Sequence, residues 1–306
     1  GIAYSASIGG VGTLIGTPPN ALLASVLQSS FNIEMDFVMW MMIGLPVVLV
    51  MLPIAWFLLA FVLFPTADTD EQPVSSVIKA ELEQLGGPTR AEKMVLAIFL
   101  AAATGWCFGK PIAALTGVPI SDTSVAMLAS LALFALPVSL TKQEFLVDWE
   151  AAKSLPWGVL LIFGGGLAIA GAFNTSGLAV YLGDSMKGLG VLGVWTLVLV
   201  AGGIMIALTE ITSNTASAAT FLPILGAISV GLGYDPRLLM IPVALGASMA
   251  FMMPVATPPN AIVFSYDGLE IRDMVRAGIW LNIIATLICF AAMYLLSGLV
   301  FGIHPA

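Results

Sequence analysis

Two copies of one pentapeptide, each set inside an apolar run, decide the fold of this chain. "IGTPPNALL" begins at Ile15, and "VATPPNAIV" begins at Val255, 240 residues later. Adjacent prolines lack backbone N–H donors and force the preceding residue out of the helical region, so neither run can form one unbroken helix. In water this pattern indicates a turn between two elements, whereas in a membrane it indicates a discontinuous helix.

The composition places the chain in a membrane. Hydrophobic residues make up 59% of it, charged residues only 9%, and the mean hydropathy is +1.03. Soluble domains are nearer half apolar and a quarter charged. The net charge of -8 argues against a nucleic-acid partner. Cys107 and Cys289 both lie in apolar runs, which argues against a disulfide framework. We predict an all-α polytopic membrane protein.

One of the predicted spans is unusual. With about 20 apolar residues per span, the sequence predicts spans near 1–31, 37–64, 94–116, 121–140, 157–182, 190–231, 238–266 and 277–302. The 190–231 run is too long for one span, and its middle is polar: "TEITSNTAS", from Thr209 to Ser217. Non-helical backbone at membrane depth is tolerated only where it is buried in protein or lines a wet cavity. A re-entrant hairpin fits this pattern.

The basic residues support the hairpin and set an orientation. If the hairpin returns to its own side, seven Lys and Arg fall on one set of loops and three on the other, which places the first set in the cytoplasm. Two full spans would give five against five. The segment 66–92 is then a cytoplasmic linker, in which the spacing of Ile78, Leu82 and Leu85 predicts a short amphipathic helix. The cytoplasmic set is Lys79, Arg90, Lys93, Lys142, Lys153, Arg272 and Arg276, and the other is Lys110, Lys187 and Arg237.

Aligning the two pentapeptides also aligns what surrounds them. The runs 1–31 and 37–64 match 238–266 and 277–302, since a broken span precedes an intact one in each pair. The two broken spans cross in opposite directions, which predicts an inverted-topology repeat. We expect residues 1–65 to end the first repeat, 66–92 to form the linker and 93–306 to form the second repeat. The chain begins at Gly1 within an apolar run, so we expect further spans to precede it.

The polar centre of the hairpin carries the candidate chemistry. Glu210 lies inside an apolar run, where ionisable residues are costly and usually functional. Thr209, Ser213, Asn214 and Thr215 provide hydroxyl and amide groups suited to Na⁺ and to an oxyanion. Glu210 either supports this loop or binds the ligand. If it only supports the loop, glutamine in its place should keep the hydrogen bonds.

"TEITSNTASAATFLPI", the two "TPPNA" breaks and "LLIFGGGLAIAGAFNTSGLA" together closely resemble the divalent anion/sodium symporters, a family of dicarboxylate, citrate and sulfate transporters. The resemblance covers essentially the whole chain. It implies a homodimer whose transport unit moves as an elevator, with a Ser-Asn-Thr hairpin and a broken helix in each repeat. It also implies one Na⁺ in each such clamp and the anion between them. The first Ser-Asn-Thr is absent from this sequence.

The same resemblance implies roles for individual residues. The sodium ligands would be Thr209, Ser213, Asn214 and the backbone carbonyls of Ala256 and Gly16. The substrate would contact Asn214, Thr215, Thr257, Pro258, Thr17 and Pro18.

The residues themselves favour cation coupling. No Lys, Arg or His lies in the predicted site segments, so a bound dianion must be balanced by sodium and by the positive ends of half-helices. We therefore predict sodium-coupled transport of a dicarboxylate, such as succinate or malate, across a bacterial inner membrane. A sodium-independent exchanger, a sulfate or citrate transporter, or an inactive fragment are the alternatives. An enzyme is not expected, because the only histidine is His304, at the end of the chain.

Overall fold

The computed structural model describes residues 1–65, 79, 82–83, 85–139, 141, 144–185, 187–266 and 268–303. These residues are mostly helical, and the chain is an all-α, multi-pass membrane protein, as predicted. A small antiparallel ribbon of β1 (Pro137–Ser139) and β2 (Glu144–Phe145) is the exception. The helices are α1 (Ile2–Val11), α2 (Pro18–Phe31), α3 (Phe37–Phe57, continued by a π-helical turn over Leu58–Leu63), α4 (Arg90–Thr116), α5 (Asp122–Ala135), α6 (Trp149–Lys153), α7 (Gly158–Ser176), α8 (Leu178–Ser185, followed by a 3₁₀ turn over Lys187–Leu192), α9 (Val194–Thr209), α10 (Asn214–Gly231), α11 (Arg237–Ala247), α12 (Pro258–Phe264) and α13 (Ile271–Phe301).

Two compact units make up the chain. One combines Gly1–Pro65 with Trp157–Ala306, and the other is Thr66–Pro156. The division predicted from the sequence, at residues 65 and 92, separates repeats and not compact units. That division into repeats stays a prediction. Most of the 66–92 segment, including Ile78, lies outside the described residues, as does His304. Leu82 and Leu85 are helical and exposed.

Four helices among the described residues are long and apolar enough to cross a membrane: Phe37–Leu63, Arg90–Thr116, Asn214–Gly231 and Ile271–Phe301. Several shorter apolar helices accompany them. Three of the short helices end where the sequence predicts an interruption. These are α1 and α11, which end before the pentapeptides, and α9, which ends at the polar centre of the 190–231 run.

Both pentapeptides break a helix, as predicted. Thr17 and Thr257 precede α2 and α12 in the same extended conformation, with φ and ψ of -142° and 148° at Thr17 and -139° and 150° at Thr257. The prolines that follow occupy the first helical turn, where the absent N–H has no intrahelical partner to lose. We call residues 12–17 the first break and residues 248–257 the second break.

The 190–231 run is also interrupted, at residues 210–213, which we call the tip. α9 ends at Thr209, and Ser213 caps α10 by accepting a hydrogen bond from the N–H of Ala216. The tip confirms the predicted interruption. The re-entrant path of the two helices stays a prediction.

The short helix α11 lies at the centre of the larger unit. Every residue from Leu238 to Ala247 is buried, and the helix packs against α2, α9, α10 and α13. A helix that is apolar on all sides is expected in such a buried position. α11 runs directly into the second break, whose first four residues, 248–251, are buried as well.

Candidate functional site

The second break is bridged by the asparagine of its own pentapeptide. Asn260 is fully buried, and its Nδ2 donates to the carbonyls of Ala250 and Met253, both at 3.1 Å. Thr257 caps the following helix, since its Oγ1 accepts from the N–H of Asn260 at 3.2 Å. Both carbonyls lie within the second break, and the side-chain amide ties them to the first turn of α12, which holds the broken backbone in one conformation.

The first break has the same construction. Asn20 is fully buried, and its Nδ2 donates to Gly10 and Thr13 at 3.3 and 2.8 Å. In both breaks the two accepting carbonyls lie ten and seven residues before the asparagine. A turn inside each break is also equivalent, because Gly16 donates to Thr13 and Ala256 to Met253, both at 3.2 Å. The pentapeptide therefore encodes one local structure that occurs twice.

Glu210 joins the tip to the second break. Its carboxylate accepts from the N–H groups of Phe251, Met252 and Met253 at 2.7–3.0 Å and from Nδ2 of Asn282 at 2.7 Å. All four donors are uncharged, and every contact sets a donor against a carboxylate oxygen, which is the pattern of an ionised group. Glu210 is 4% exposed. It supports the irregular backbone after α11, whereas the two roles considered from the sequence were support of its own loop and binding of the ligand.

The expectation that glutamine could replace Glu210 with its hydrogen bonds intact is wrong. Both carboxylate oxygens accept from backbone N–H groups: Oε1 from Phe251 and Met252, and Oε2 from Met252 and Met253. A glutamine side chain has one oxygen and one NH₂ group, so its NH₂ must face an N–H donor in either orientation.

At the tip, three oxygens converge with a single proton between them. The Oγ1 of Thr209 contacts the Oδ1 of Asn214 and also the carbonyl of Ala247, the latter at 3.0 Å. Asn214 Oδ1 and a backbone carbonyl can only accept, and a threonine hydroxyl carries one proton. The hydroxyl proton can therefore serve only one of these two acceptors. This excess of oxygen lone pairs suits a hard cation.

The two breaks meet inside the larger unit. The hydroxyl oxygens of Thr17 and Ser248 are 2.9 Å apart. The ring of Tyr4 packs edge-on against Phe251 with centroids 5.4 Å apart, and its hydroxyl donates to the carbonyl of Met274 at 3.4 Å. The first helix and the first break are thus packed against the backbone that Glu210 holds.

The structure joins some of the predicted site residues and leaves others apart. It brings Thr209 and Asn214 into contact, while Thr17 contacts Ser248, which the sequence analysis did not select. Among the hydrogen bonds of the described residues, none joins Ser213 or Thr215 to the second break. Ala256 and Thr257 are buried, Thr17, Asn214 and Thr215 are half-buried, and Gly16, Pro18, Ser213 and Pro258 are exposed. Their assignment to sodium and to the anion stays a prediction.

Sequence reasoning missed Asn20, Asn260, Asn282 and Ser248. The repeat itself was a signal for the first two, since the asparagine is part of both pentapeptides. Asn282 and Ser248 carry no local signal. Their partners lie 72 and 231 residues away along the chain, so only the fold brings them into the site.

A family model described as the sodium:sulfate symporter transmembrane region matches residues 1–302. The chain belongs to this family. The resemblance found in the sequence is thereby confirmed, and the family is one of transporters rather than enzymes.

Named relatives of this symporter-family chain come from staphylococci. The sodium-dependent dicarboxylate transporter SdcS of Staphylococcus aureus (strain USA300) is 41% identical over 306 residues, which is 99% of this chain and 59% of the relative. The protein of the same name from Staphylococcus saprophyticus is 40% identical, with the same shares covered. The chain thus spans about three fifths of the length of the curated relatives it matches.

Proposed function

We propose that the chain takes part in secondary transport in which sodium ions drive the movement of a dicarboxylate across the membrane. The observation that carries the proposal is the cluster of Thr209, Asn214 and Ala247 oxygens around a single proton. The cluster lies beside a helix break, and discontinuous helices are where secondary transporters hold their ions and substrates. The relatives named as sodium-dependent dicarboxylate transporters support the same function.

Sodium fits the residues present at the tip. A hydroxyl, a side-chain amide oxygen and a backbone carbonyl are hard, uncharged oxygen ligands, and Thr209 is fully buried. We propose that Ser213 and the carbonyl of Ala256 complete this ion site, with the carbonyl of Gly16 serving a second ion at the first break. A bound cation would relieve the excess of acceptors that the tip shows.

The anion is proposed to lie between the two breaks and the tip. Asn214, Thr215, Thr257 and Thr17 offer neutral donors there, and Pro258 and Pro18 would line the site. Neutral donors leave the charge of a dianion to be balanced by sodium and by the N-terminal ends of α2, α10 and α12. Two breaks of the same construction suit a molecule charged at both ends, such as a C4-dicarboxylate.

The wider architecture is proposed from the family. The matching breaks support an inverted repeat. We propose that the broken helices and the tip form the moving part of an elevator, that the transporter is a homodimer, and that it lies in a bacterial inner membrane.

Uptake into proteoliposomes containing the intact transporter tests this function. Succinate, butyrate, citrate and sulfate are offered with and without a sodium gradient, to wild type, to Asn214→Ala and to Ser229→Ala. Ser229 is a fully buried polar residue outside the tip and the two breaks, and its hydroxyl donates to the carbonyl of Asp235 at 2.8 Å, so its alanine variant controls for the loss of a polar side chain elsewhere in the unit.

We expect sodium-dependent uptake of succinate and no uptake of butyrate, which would leave one end of the site unpaired. Asn214→Ala should raise the sodium concentration needed for half-maximal uptake, whereas Ser229→Ala should not. Sodium-independent exchange, equal transport of butyrate, or transport of sulfate alone would contradict the proposal.

A further inference from the structure

The two threonines of the repeated pentapeptide use their hydroxyls differently. Their backbones are nearly identical, yet Thr257 caps its own helix at the N–H of Asn260, whereas Thr17 makes no side-chain cap. The hydroxyl of Thr17 instead lies 2.9 Å from that of Ser248, 231 residues away. Position 8, which lies 240 residues before Ser248, is the fully buried Ile8. An isoleucine offers no hydroxyl, so nothing equivalent is available from that position for Thr257.

Burial decides which hydroxyl of the Thr17–Ser248 pair is the donor. Ser248 is 2% exposed, and among the described residues its hydroxyl has one hydrogen-bond partner, Thr17. If Ser248 only accepted, its own proton would be buried without an acceptor, which is costly. Ser248 therefore donates to Thr17. Thr17 is half-buried and keeps its own proton for an acceptor outside this pair.

We infer that Ser248 is a positioning residue that makes Thr17 the hydrogen-bond donor to one carboxylate of the transported anion. The inference rests on the proposed function. A hydroxyl that accepts one hydrogen bond becomes a better donor of the next, so the Ser248 contact strengthens the donation from Thr17 as well as orienting it. The Thr257 hydroxyl also accepts a hydrogen bond, from the N–H of Asn260, so each threonine keeps its proton for the anion, but only Thr17 depends on a distant side chain for this.

A double-mutant cycle on the intact transporter in proteoliposomes tests the inference. The variants are Ser248→Ala, Thr17→Val and the two combined, with Thr17→Ser as the conservative variant and Ser229→Ala as the buried-serine control. KM and Vmax for succinate are measured in saturating sodium. If Ser248→Ala is poorly expressed, Ser248→Cys replaces it in the cycle, because a cysteine side chain is similar in size to serine and its S–H group is only a weak hydrogen-bond donor.

We expect Ser248→Ala to raise KM about three- to tenfold, as for the loss of one hydrogen bond, with little change in Vmax. The double variant should match Thr17→Val alone, because Ser248 acts through Thr17. The KM of Thr17→Ser should stay near that of the wild type and should still rise when Ser248 is replaced by alanine. Ser229→Ala should leave KM unchanged.

If the two substitutions raise KM independently, so that the double variant shows the product of the two single effects, the inference is overturned. An unchanged KM in Ser248→Ala would overturn it as well. A transporter that carries another anion instead of succinate would refute the proposed substrate alone. The same cycle is then run with the anion that is carried, and the coupling between the Ser248 and Thr17 substitutions decides the role of Ser248.

Discussion

Replacing Glu210 by glutamine removes one carboxylate oxygen from a site where both are used. The side chain is 4% exposed and accepts from three consecutive N–H groups of the second break and from Asn282. In the more favourable orientation the glutamine oxygen takes the place of Oε1 and keeps the hydrogen bonds from Phe251, Met252 and Asn282. The NH₂ group then faces the N–H of Met253, which lies 2.9 Å from Oε2.

The cost can be worked from these contacts. One N–H left without an acceptor costs about 1–3 kcal/mol, and the remaining bonds lose about 1 kcal/mol each when their acceptor becomes neutral. Met253 is half-buried, which places its contribution at the low end. The free energy of unfolding should therefore fall by about 4 kcal/mol, from one unpaired N–H and three weakened hydrogen bonds. At about 2–4 °C per kcal/mol, Tm should fall by about 8–16 °C.

Thermal unfolding of the purified transporter measures this difference. Glu270→Gln is the control, because Glu270 is exposed and its side chain makes no hydrogen bond to the helix it precedes. The control should melt with the wild type, within about 1 °C. A Tm of Glu210→Gln equal to that of the control would refute the reasoning.

Two further predictions concern the backbone of the breaks. Asn20→Ala and Asn260→Ala should each lower the free energy of unfolding by about 1–3 kcal/mol, and the aspartate variants should lower it more, because a carboxylate would face two carbonyls. Gln28→Ala, at an exposed position, is the control, and aspartate variants as stable as wild type would contradict the bridging role. Gly278→Ala should lower Tm, since a Cβ there would lie 2.5 Å from backbone atoms of the second break, whereas Gly9→Ala meets nothing within 4 Å. Equal Tm values for the two glycine variants would count against this packing.

The broken helices were predictable because their cause is local. Paired prolines interrupt a helix whatever surrounds them, and an apolar run with a polar centre must be interrupted in a membrane. The short ribbon of β1 and β2 was not predicted, since it falls at the end of a run assigned to a span at 121–140. The helix there ends at Ala135.

The candidate site was only partly predictable because its contacts are distant in sequence. The contact of Thr209 with Asn214 spans five residues, and the "TEITSNTAS" stretch indicated it. The acceptor carbonyl of Ala247 is 38 residues from Thr209, and the N–H groups bound by Glu210 are at least 41 residues from it. No pattern within a helix or a loop reports such partners.

The two breaks show where a repeated sequence stops determining the contacts of its residues. A Cβ on Gly16 would lie 2.1 Å from the carbonyl oxygen of Gly10, so the first break has no room for a side chain at a position where the second break carries Ala256. The shared pentapeptide sets the asparagine bridge and the extended threonine in both copies. Residues outside it decide whether that threonine caps its helix or contacts Ser248. Local sequence therefore sets the backbone of each break, and residues distant along the chain set which group the threonine hydroxyl contacts.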